Sequence, residues 1–264
     1  MKRLILAIVA AACIVGGKVG MAQDFKAVDI PTRAGVTQRF LYAAPPNARA
    51  VVVLFTGGNG ALQITETGEL RSGAGNFLVR NRQRFAQEGL AVIVVDSPSD
   101  RQGGNFLNTF RQTDEHVRDI SSVIAWAREN AKVPVWLVGT SRGTQSAAWA
   151  STRLTGKEGP DGLVLTSTIL NDARTRPVPA MDIGKLAIPV LVVHHEQDGC
   201  NQCRFHEMPR LMEKLPAGIR KELITYTGGL NVGDPCEPRA YHGFNGLDAE
   251  VVHRISEWIL APRT

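Results

Sequence analysis

PVWLVGTSRG, residues 134–143, joins a short apolar run directly to a G-x-S-x-G pentapeptide. Residues 135–138 have the pattern of a buried strand, and the run at 144–150 favours a helix. A serine in so tight a connection takes a strained backbone conformation, and glycines two residues before and after it avoid collisions with the neighbouring strand and helix. The stretch therefore predicts a strand, a sharp turn that raises Ser141 at the carboxyl end of a sheet, and a helix. An ordinary glycine-rich turn is the alternative that this stretch alone leaves open.

The N-terminus has the pattern of a secretory signal peptide. A basic pair at 2–3 is followed by an apolar run over 4–15 and then by small residues, and cleavage after Ala22 makes residues 1–22 the signal. The apolar run is shorter than the ~20 residues of a membrane span. A lipoprotein box ending at Cys13 is the less favoured alternative, because alanine stands three residues earlier where leucine is usual. We therefore predict a bacterial protein that is exported to the periplasm or secreted, without a stable membrane span.

The composition of the 264-residue chain, with 44% hydrophobic and 21% charged residues, is that of an ordinary globular protein. Its formal net charge is +5, but three basic residues and no acidic one lie in 1–22, which leaves only about +2 for the remainder. So small a balance gives no reason to expect binding to nucleic acid or to a membrane surface. Residues 23–264 contain no repeat, low-complexity tract or linker, and we expect them to form one domain with a sizeable core.

Strand and helix patterns alternate along residues 23–264. Most of the predicted strands are unbroken apolar runs, the type that is buried on both faces of a parallel sheet. The alternation predicts an α/β fold with a mostly parallel central sheet flanked by helices, in which ligands bind beyond the carboxyl ends of the strands. The predicted strands cover 25–30, 36–42, 50–55, 90–95, 135–138, 162–166, 188–194 and 221–225. The predicted helices cover 76–88, 113–130, 144–150, 205–215 and 246–260.

Two further residues complete a catalytic pattern. Asp198 follows the predicted strand at 188–194, and His242 lies in the loop before the last helix. A serine nucleophile needs a histidine base and an orienting acid, and the chain order Ser141, Asp198, His242 is that of the α/β-hydrolases. On these residues the chain resembles the α/β-hydrolase superfamily over nearly all of 23–264. It is most similar to small exported bacterial members that carry one cysteine after the acid and another shortly before the histidine.

The resemblance implies a role for each of these side chains. Ser141 attacks a carbonyl carbon, His242 takes and returns the proton, and Asp198 holds the imidazole in the required tautomer. The resemblance also implies an oxyanion hole, formed by the backbone N–H of Arg142 and by one N–H from the loop after the strand at 50–55.

That loop reads TGGNG, residues 56–60, where many α/β-hydrolases have His-Gly-Gly. The resemblance favours the N–H of Gly58 as the second oxyanion donor, and Gly57 and Asn59 remain alternatives. Thr56 replaces the usual histidine, which matters little because the donor is a backbone group. A phosphate-binding P-loop is excluded because no Gly-Lys-Ser/Thr follows, whereas a plain turn remains possible.

Other acids and histidines offer alternative assignments. Asp172 follows another predicted strand, and Glu196 is closer to a strand end than Asp198, although Asp198 fits the loop pattern better. We expect His194 and His195 to be structural, although one of them could line the site. Three more histidines are expected on helices as packing or surface residues: His116, His206 and His253.

Three cysteines follow the predicted signal peptide: Cys200, Cys203 and Cys236. An oxidising compartment favours at least one disulfide. In line with the family pattern we favour Cys200–Cys236, which would tie the acid loop to the histidine loop, while Cys203–Cys236 and Cys200–Cys203 remain open. A zinc site that adds His206 to the three cysteines has tolerable spacing, but the oxidising compartment and one distant ligand argue against it. We therefore expect no metal and no cofactor.

The predicted activity is hydrolysis of an ester through an acyl-enzyme, as in a carboxylesterase for small carbohydrate or aromatic esters. The segment 169–187, where α/β-hydrolases often insert a lid, is short and has little hydrophobic mass. We therefore expect an open site, no large lid and no activity on long-chain fats. The Gly- and Asn-rich loop at 97–108 is expected to contribute to the pocket. The alternatives are an exported peptidase or amidase, a non-catalytic binding protein with this fold, and a redox role for the Cys-x-x-Cys at 200–203.

Overall fold

The computed structural model describes residues 23–262, so the predicted signal peptide and Cys13 lie outside the described residues. The strands in this range are β1 (Lys26–Arg33), β2 (Val36–Ala43), β3 (Ala50–Phe55), β4 (Leu90–Val95), β5 (Val135–Thr140), β6 (Gly162–Thr166), β7 (Val190–His195) and β8 (Lys221–Tyr226). The α-helices are α1 (Phe77–Arg80), α2 (Arg82–Gln87), α3 (Asp114–Ala131), α4 (Gly143–Ser151), α5 (Met208–Lys214) and α6 (Asp248–Leu260).

The eight strands form one sheet in the order β1-β2-β4-β3-β5-β6-β7-β8. β1 pairs antiparallel with β2, and β2 pairs antiparallel with β4. All the remaining pairs are parallel. The predicted α/β fold with a mostly parallel sheet is therefore confirmed. Because β3 and β5 to β8 run the same way, the loops that follow them meet at one edge of the sheet.

The core lies on both faces of this sheet. Every position of β3, β4, β5 and β7 is buried, which explains their unbroken apolar sequences. One apolar cluster packs α3, α4 and α5 against one face, and a second packs α1, α2 and α6 against the other. In the second cluster, the rings of Trp136 and Trp258 meet edge to face with centroids 5.6 Å apart. A Cβ at Gly162 would lie 2.1 Å from the ring of Trp136, so β6 must begin with glycine.

Two predicted helices differ from the observed ones by more than a shift of one or two end residues. The helix expected at 76–88 is broken at Asn81, whose side-chain amide donates to the carbonyl of Phe77 and to the carboxylate of Asp248, so a tertiary contact outweighs local helix propensity. The helix expected at 205–215 begins with a 3₁₀ turn over three residues before α5 starts. Over residues 23–262, the helices are too short or too polar to span a bilayer.

Candidate active site

Ser141 occupies a sharp turn between β5 and α4. Its φ is 52°, in the left-handed region that non-glycine residues rarely adopt, and its N–H donates to the carbonyl of Thr166 at 3.0 Å. A Cβ at Gly139 would lie 2.5 Å from the carbonyl oxygen of Gly143, and a Cβ at Gly143 would lie 2.0 Å from that of Phe55. The two glycines of G-x-S-x-G are therefore required by the close approach of α4 to β3 and β5.

Asp198 and His242 lie in contact, although they follow different strands. Oδ2 of Asp198 accepts a hydrogen bond from Nδ1 of His242 at 2.8 Å, and Oδ1 accepts the N–H of Cys200 at 2.9 Å. Oγ of Ser167 donates to the carbonyl of His242 at 2.6 Å and so anchors the histidine from the loop after β6. Nε2 of His242 is buried and has no hydrogen-bond partner among residues 23–262.

Ser141 and His242 line the same cavity of about 660 Å³ at the carboxyl edge of the sheet. Three other segments supply most of its wall, within 56–61, 72–77 and 232–243. The wall combines glycines and small polar residues with few large apolar side chains. The structure therefore brings all three predicted catalytic residues to one region, with Ser141 and His242 in the wall of one cavity and Asp198 bonded to His242.

The backbone N–H groups of the two favoured oxyanion candidates, Gly58 and Arg142, have no hydrogen-bond acceptor among residues 23–262. The loop that carries Gly58 lies against the turn, because a Cβ at Gly57 would be only 2.9 Å from Cβ of Ser141. The loop of Gly58 and the turn of Ser141 and Arg142 are therefore neighbours.

The alternative acids are engaged elsewhere. The carboxylate of Asp172 pairs with Nη1 of Arg142 at 3.0 Å and also accepts the Thr175 hydroxyl. Burial alone would raise the pKa of Asp172, but these contacts and the N–H of Arg174 lower it overall. Glu196 is exposed and accepts a hydrogen bond from Thr225. Neither carboxylate is the partner of His242.

The neighbouring histidines have structural contacts. Nε2 of His194 lies 2.7 Å from the carbonyl of Cys203 and 3.6 Å from Asp198; burial lowers the pKa of His194 to about 4, partly opposed by the charge of Asp198. His195 stacks on Tyr241 with centroids 4.4 Å apart. Neither residue lines the cavity. Of the three histidines expected on helices, His116 is buried, and His206 and His253 are exposed.

Cys200 and Cys236 form a disulfide, whereas Cys203 is a buried free thiol. The bridge connects the loop of Asp198 to the loop of His242. Sγ of Cys203 donates to the carbonyl of Ser167 at 3.3 Å, and burial raises the pKa of this thiol. A zinc site on these cysteines does not fit, because the disulfide occupies two of the sulfurs.

Two features were not found from the sequence. Arg111 is buried behind the loop of Gly58, and its position carries no recognisable motif. The segments 72–77 and 232–243 form much of the cavity wall, together with 56–61. The loop at 97–108 does not line the cavity, so the expectation that it would contribute to the pocket was wrong. The 97–108 loop packs behind the 56–60 turn instead, where the N–H of Leu107 donates to the carbonyl of Asn59 at 3.0 Å.

Comparison with known proteins supports the fold. No protein-family model matches the chain, and no curated protein gives a significant match. An α/β serine hydrolase without a lid from Xanthomonas campestris is 16% identical, with a TM-score of 0.57 over 92% of this chain and 97% of that one. Dienelactone hydrolase from Anabaena variabilis is 16% identical, with a TM-score of 0.60 over 90% and 98%. An esterase from Pyrococcus furiosus is 13% identical, with a TM-score of 0.62 over 90% and 92%. The chain has the α/β-hydrolase fold, as its resemblance implied, and residues 23–262 include no large lid, as the short segment at 169–187 predicted.

Proposed function

We propose that this protein is a serine hydrolase that cleaves ester bonds, with Ser141 as nucleophile, His242 as general base and acid, and Asp198 as the orienting acid. The observation that supports this most directly is the environment of the His242 ring. Nδ1 is hydrogen-bonded to Asp198, and Nε2 is buried without a partner in the wall that also holds Ser141. A neutral imidazole with its proton on Nδ1 keeps a lone pair on Nε2 that can accept a hydroxyl proton.

In the proposed reaction, Oγ of Ser141 bonds to the carbonyl carbon while its proton passes to Nε2 of His242. The N–H groups of Arg142 and Gly58 stabilise the negative charge on the carbonyl oxygen. His242 returns the proton to the leaving alcohol, which departs as the acyl-enzyme forms. Water then attacks the acyl-enzyme with His242 as base and releases the acid. Asp198 stabilises the imidazolium in both halves of the reaction.

The cavity favours small or modified carbohydrate or aromatic esters over long-chain fats. Its volume of about 660 Å³ suits a ligand of drug size. Its large apolar side chains are few, and Asp234, Glu237 and Arg239 add charges to its wall. A long acyl chain would find no lid among residues 23–262 to cover it.

We also propose that the protein works outside the cytoplasm as a single domain over 23–264. A disulfide between Cys200 and Cys236 persists in an oxidising compartment, and the N-terminal sequence has the pattern of an export signal. Fractionation of the native host, with the N-terminus of the protein identified by mass spectrometry, tests this: cleavage after Ala22 is expected, and a cytoplasmic, uncleaved chain contradicts it.

The nucleophile is tested by labelling residues 23–264 with a fluorophosphonate, followed by peptide mapping. The label is expected on Ser141 and is lost in Ser141→Ala. Ser72→Ala is the matched control, because Ser72 lines the same cavity and should leave labelling intact. A panel of 4-nitrophenyl esters and the corresponding anilides then separates an esterase from an amidase. Absence of label in the folded wild-type protein would contradict the proposal and favour a binding protein.

A further inference from the structure

Arg111 connects the two halves of the proposed oxyanion hole from behind. It lies just before α3 and is only 3% exposed. Its guanidinium donates from Nη1 to Oγ of Ser146 at 2.8 Å, and from Nη2 to the carbonyls of Thr56 and Gly58 at 3.0 and 3.2 Å. Ser146 belongs to α4, the helix that begins directly after Arg142. One side chain therefore joins the loop of Gly58 to the helix that follows the other donor.

The carbonyls of residues 56–58 are all engaged. Arg111 binds the first and the third, and the carbonyl of Gly57 accepts the N–H of Gly60 at 3.2 Å. Because each peptide group is planar, fixing a carbonyl also fixes the N–H of the next residue. Two consecutive glycines would otherwise leave the loop flexible, and Gly58, with φ 58°, has nothing within 4 Å of its Cβ position. The Gly58 N–H belongs to the peptide whose carbonyl, that of Gly57, is held by Gly60. The guanidinium fixes the peptide planes on either side of it, which carry the carbonyls of Thr56 and Gly58, and so limits how the intervening peptide and its N–H can turn.

The charge of Arg111 has no counter-ion within residues 23–262. Its side-chain partner Ser146 is shared with His116 at 3.0 Å, and burial together with the charge of Arg111 lowers the pKa of His116 to about 3, which leaves it neutral at pH 7. Burial and the nearby charge of Arg142 lower the pKa of Arg111 to about 9, so it stays cationic. The charge of Arg142 is itself neutralised by Asp172.

We propose that Arg111 is a positioning residue for the oxyanion hole, which orients the N–H of Gly58 and places an unneutralised positive charge behind it. Burying an unpaired cation is unfavourable for folding, whereas a fixed charge in a low-dielectric interior stabilises negative charge that develops nearby. The arrangement is therefore better suited to catalysis than to stability. The inference rests on the proposed serine-hydrolase function, because only a reaction that forms an oxyanion uses this charge.

The test compares two variants. Arg111→Met keeps a side chain of similar length without the charge, and Arg111→Lys keeps the positive charge but loses the planar guanidinium that donates from two nitrogens. Arg220→Met is the matched control, because Arg220 also donates to a backbone carbonyl, that of Trp258 at 3.0 Å, but lies outside the cavity. The kcat and KM are measured on 4-nitrophenyl acetate, with active sites counted from the end point of fluorophosphonate labelling. The Kd of phenylboronic acid is measured in parallel, because its tetrahedral serine adduct mimics the anionic intermediate whereas KM reflects ground-state binding.

Arg111→Met is expected to lower kcat per labelled site by about 100-fold, to change KM by less than about threefold, and to raise the boronic acid Kd by about tenfold or more. Arg111→Lys is expected to fall in between, and Arg220→Met to match the wild type. A purely structural role predicts fewer labelled sites with unchanged kcat per site and unchanged boronic acid Kd, which would overturn the inference.

If Arg111→Met does not fold, the inference is tested with Arg111→Lys, again by kcat per labelled site and by the boronic acid Kd. If neither variant folds, Arg111 is a folding residue and the inference is wrong. Failure of the proposed function is distinguishable, because it appears in the wild type as an absence of both hydrolysis and labelling. An active wild type with an equally active Arg111→Met removes the inference alone.

Discussion

The carboxylate of Asp198 accepts a hydrogen bond from Nδ1 of His242 at 2.8 Å across a sequence separation of 44 residues. This contact fixes the imidazole tautomer with its proton on Nδ1. In Asp198→Asn, an amide NH₂ opposite that nitrogen donates to it and so favours the opposite tautomer. We therefore expect kcat on 4-nitrophenyl acetate to fall by about 10³-fold or more with little change in KM.

Glu196→Gln is the matched control for Asp198→Asn, because Glu196 lies on the same loop and was an alternative acid. Its carboxylate is exposed and contacts Thr225, not His242, so kcat should stay within about twofold of the wild type, as for most surface substitutions. A large loss of kcat in Glu196→Gln with a small one in Asp198→Asn would reverse the assignment of the acid.

The Cys200–Cys236 disulfide should contribute to both stability and rate. It closes a loop with a sequence separation of 36, for which loop-closure entropy predicts a contribution of about 4 kcal/mol to the free energy of unfolding. Cys236 and His242 line the cavity on the same loop, so loss of the bridge loosens the histidine, and we expect kcat to fall by about tenfold. Urea unfolding and kcat measure the two effects.

The substitution Cys236→Ser is best made in a Cys203→Ala background. Sγ of Cys203 lies within 4.8 Å of Sγ of Cys200, and the free sulfurs could otherwise pair with each other. Cys203→Ala alone is the control and should retain the bridge. Equal stability of the single and double variants would show that the bridge contributes nothing to folding.

Much of the fold could be predicted from the sequence, because buried parallel strands are unbroken apolar runs. The strands predicted at 90–95 and 162–166 match β4 and β6 to the residue. One helix was predicted at 76–88, and its break into α1 and α2 was missed. The break depends on a hydrogen bond from Asn81 to Asp248, 167 residues away. Such a contact leaves no local pattern.

The candidate site divides in the same way. The convergence of Ser141, Asp198 and His242 was predictable because a side chain supplies each role in the proposed triad and the chain order of the three is distinctive. Arg111 was not, because its partners Thr56 and Gly58 contribute backbone carbonyls, which every residue possesses. The wall from 232–243 was also missed, since the position of a long loop depends on its disulfide and not on a periodic pattern.

Two buried histidines should make the protein less stable in mild acid. Burial holds the pKa of His194 at about 4 and, together with nearby arginine charges, that of His116 at about 3. Below the ordinary pKa of 6.5 the unfolded chain binds protons that the folded protein cannot. The free energy of unfolding is therefore highest above about pH 6.5 and falls towards about pH 4, with a slope of up to about 1.4 kcal/mol per pH unit for each histidine.

Urea unfolding at about pH 7, 5.5 and 4.5 measures this slope. His116→Gln removes one of the two groups and should reduce the slope by about half over that range. An unchanged slope in His116→Gln would show that this histidine becomes protonated in the folded state.

Gly143 is expected to be the least replaceable residue of the G-x-S-x-G turn. A Cβ there would lie 2.0 Å from the carbonyl oxygen of Phe55 and 2.8 Å from that of Thr56, and neither backbone group can move without displacing β3. We expect Gly143→Ala to lower the free energy of unfolding by about 3 kcal/mol or more. Gly103→Ala is the control, because its Cβ position has no atom within 4 Å and should cost less than about 0.5 kcal/mol. The clash also pushes α4 away from the loop of Gly58, so we expect kcat per folded molecule to fall as well as the free energy of unfolding. A Gly143→Ala variant with wild-type activity and stability would show that the close approach of these two segments is not required.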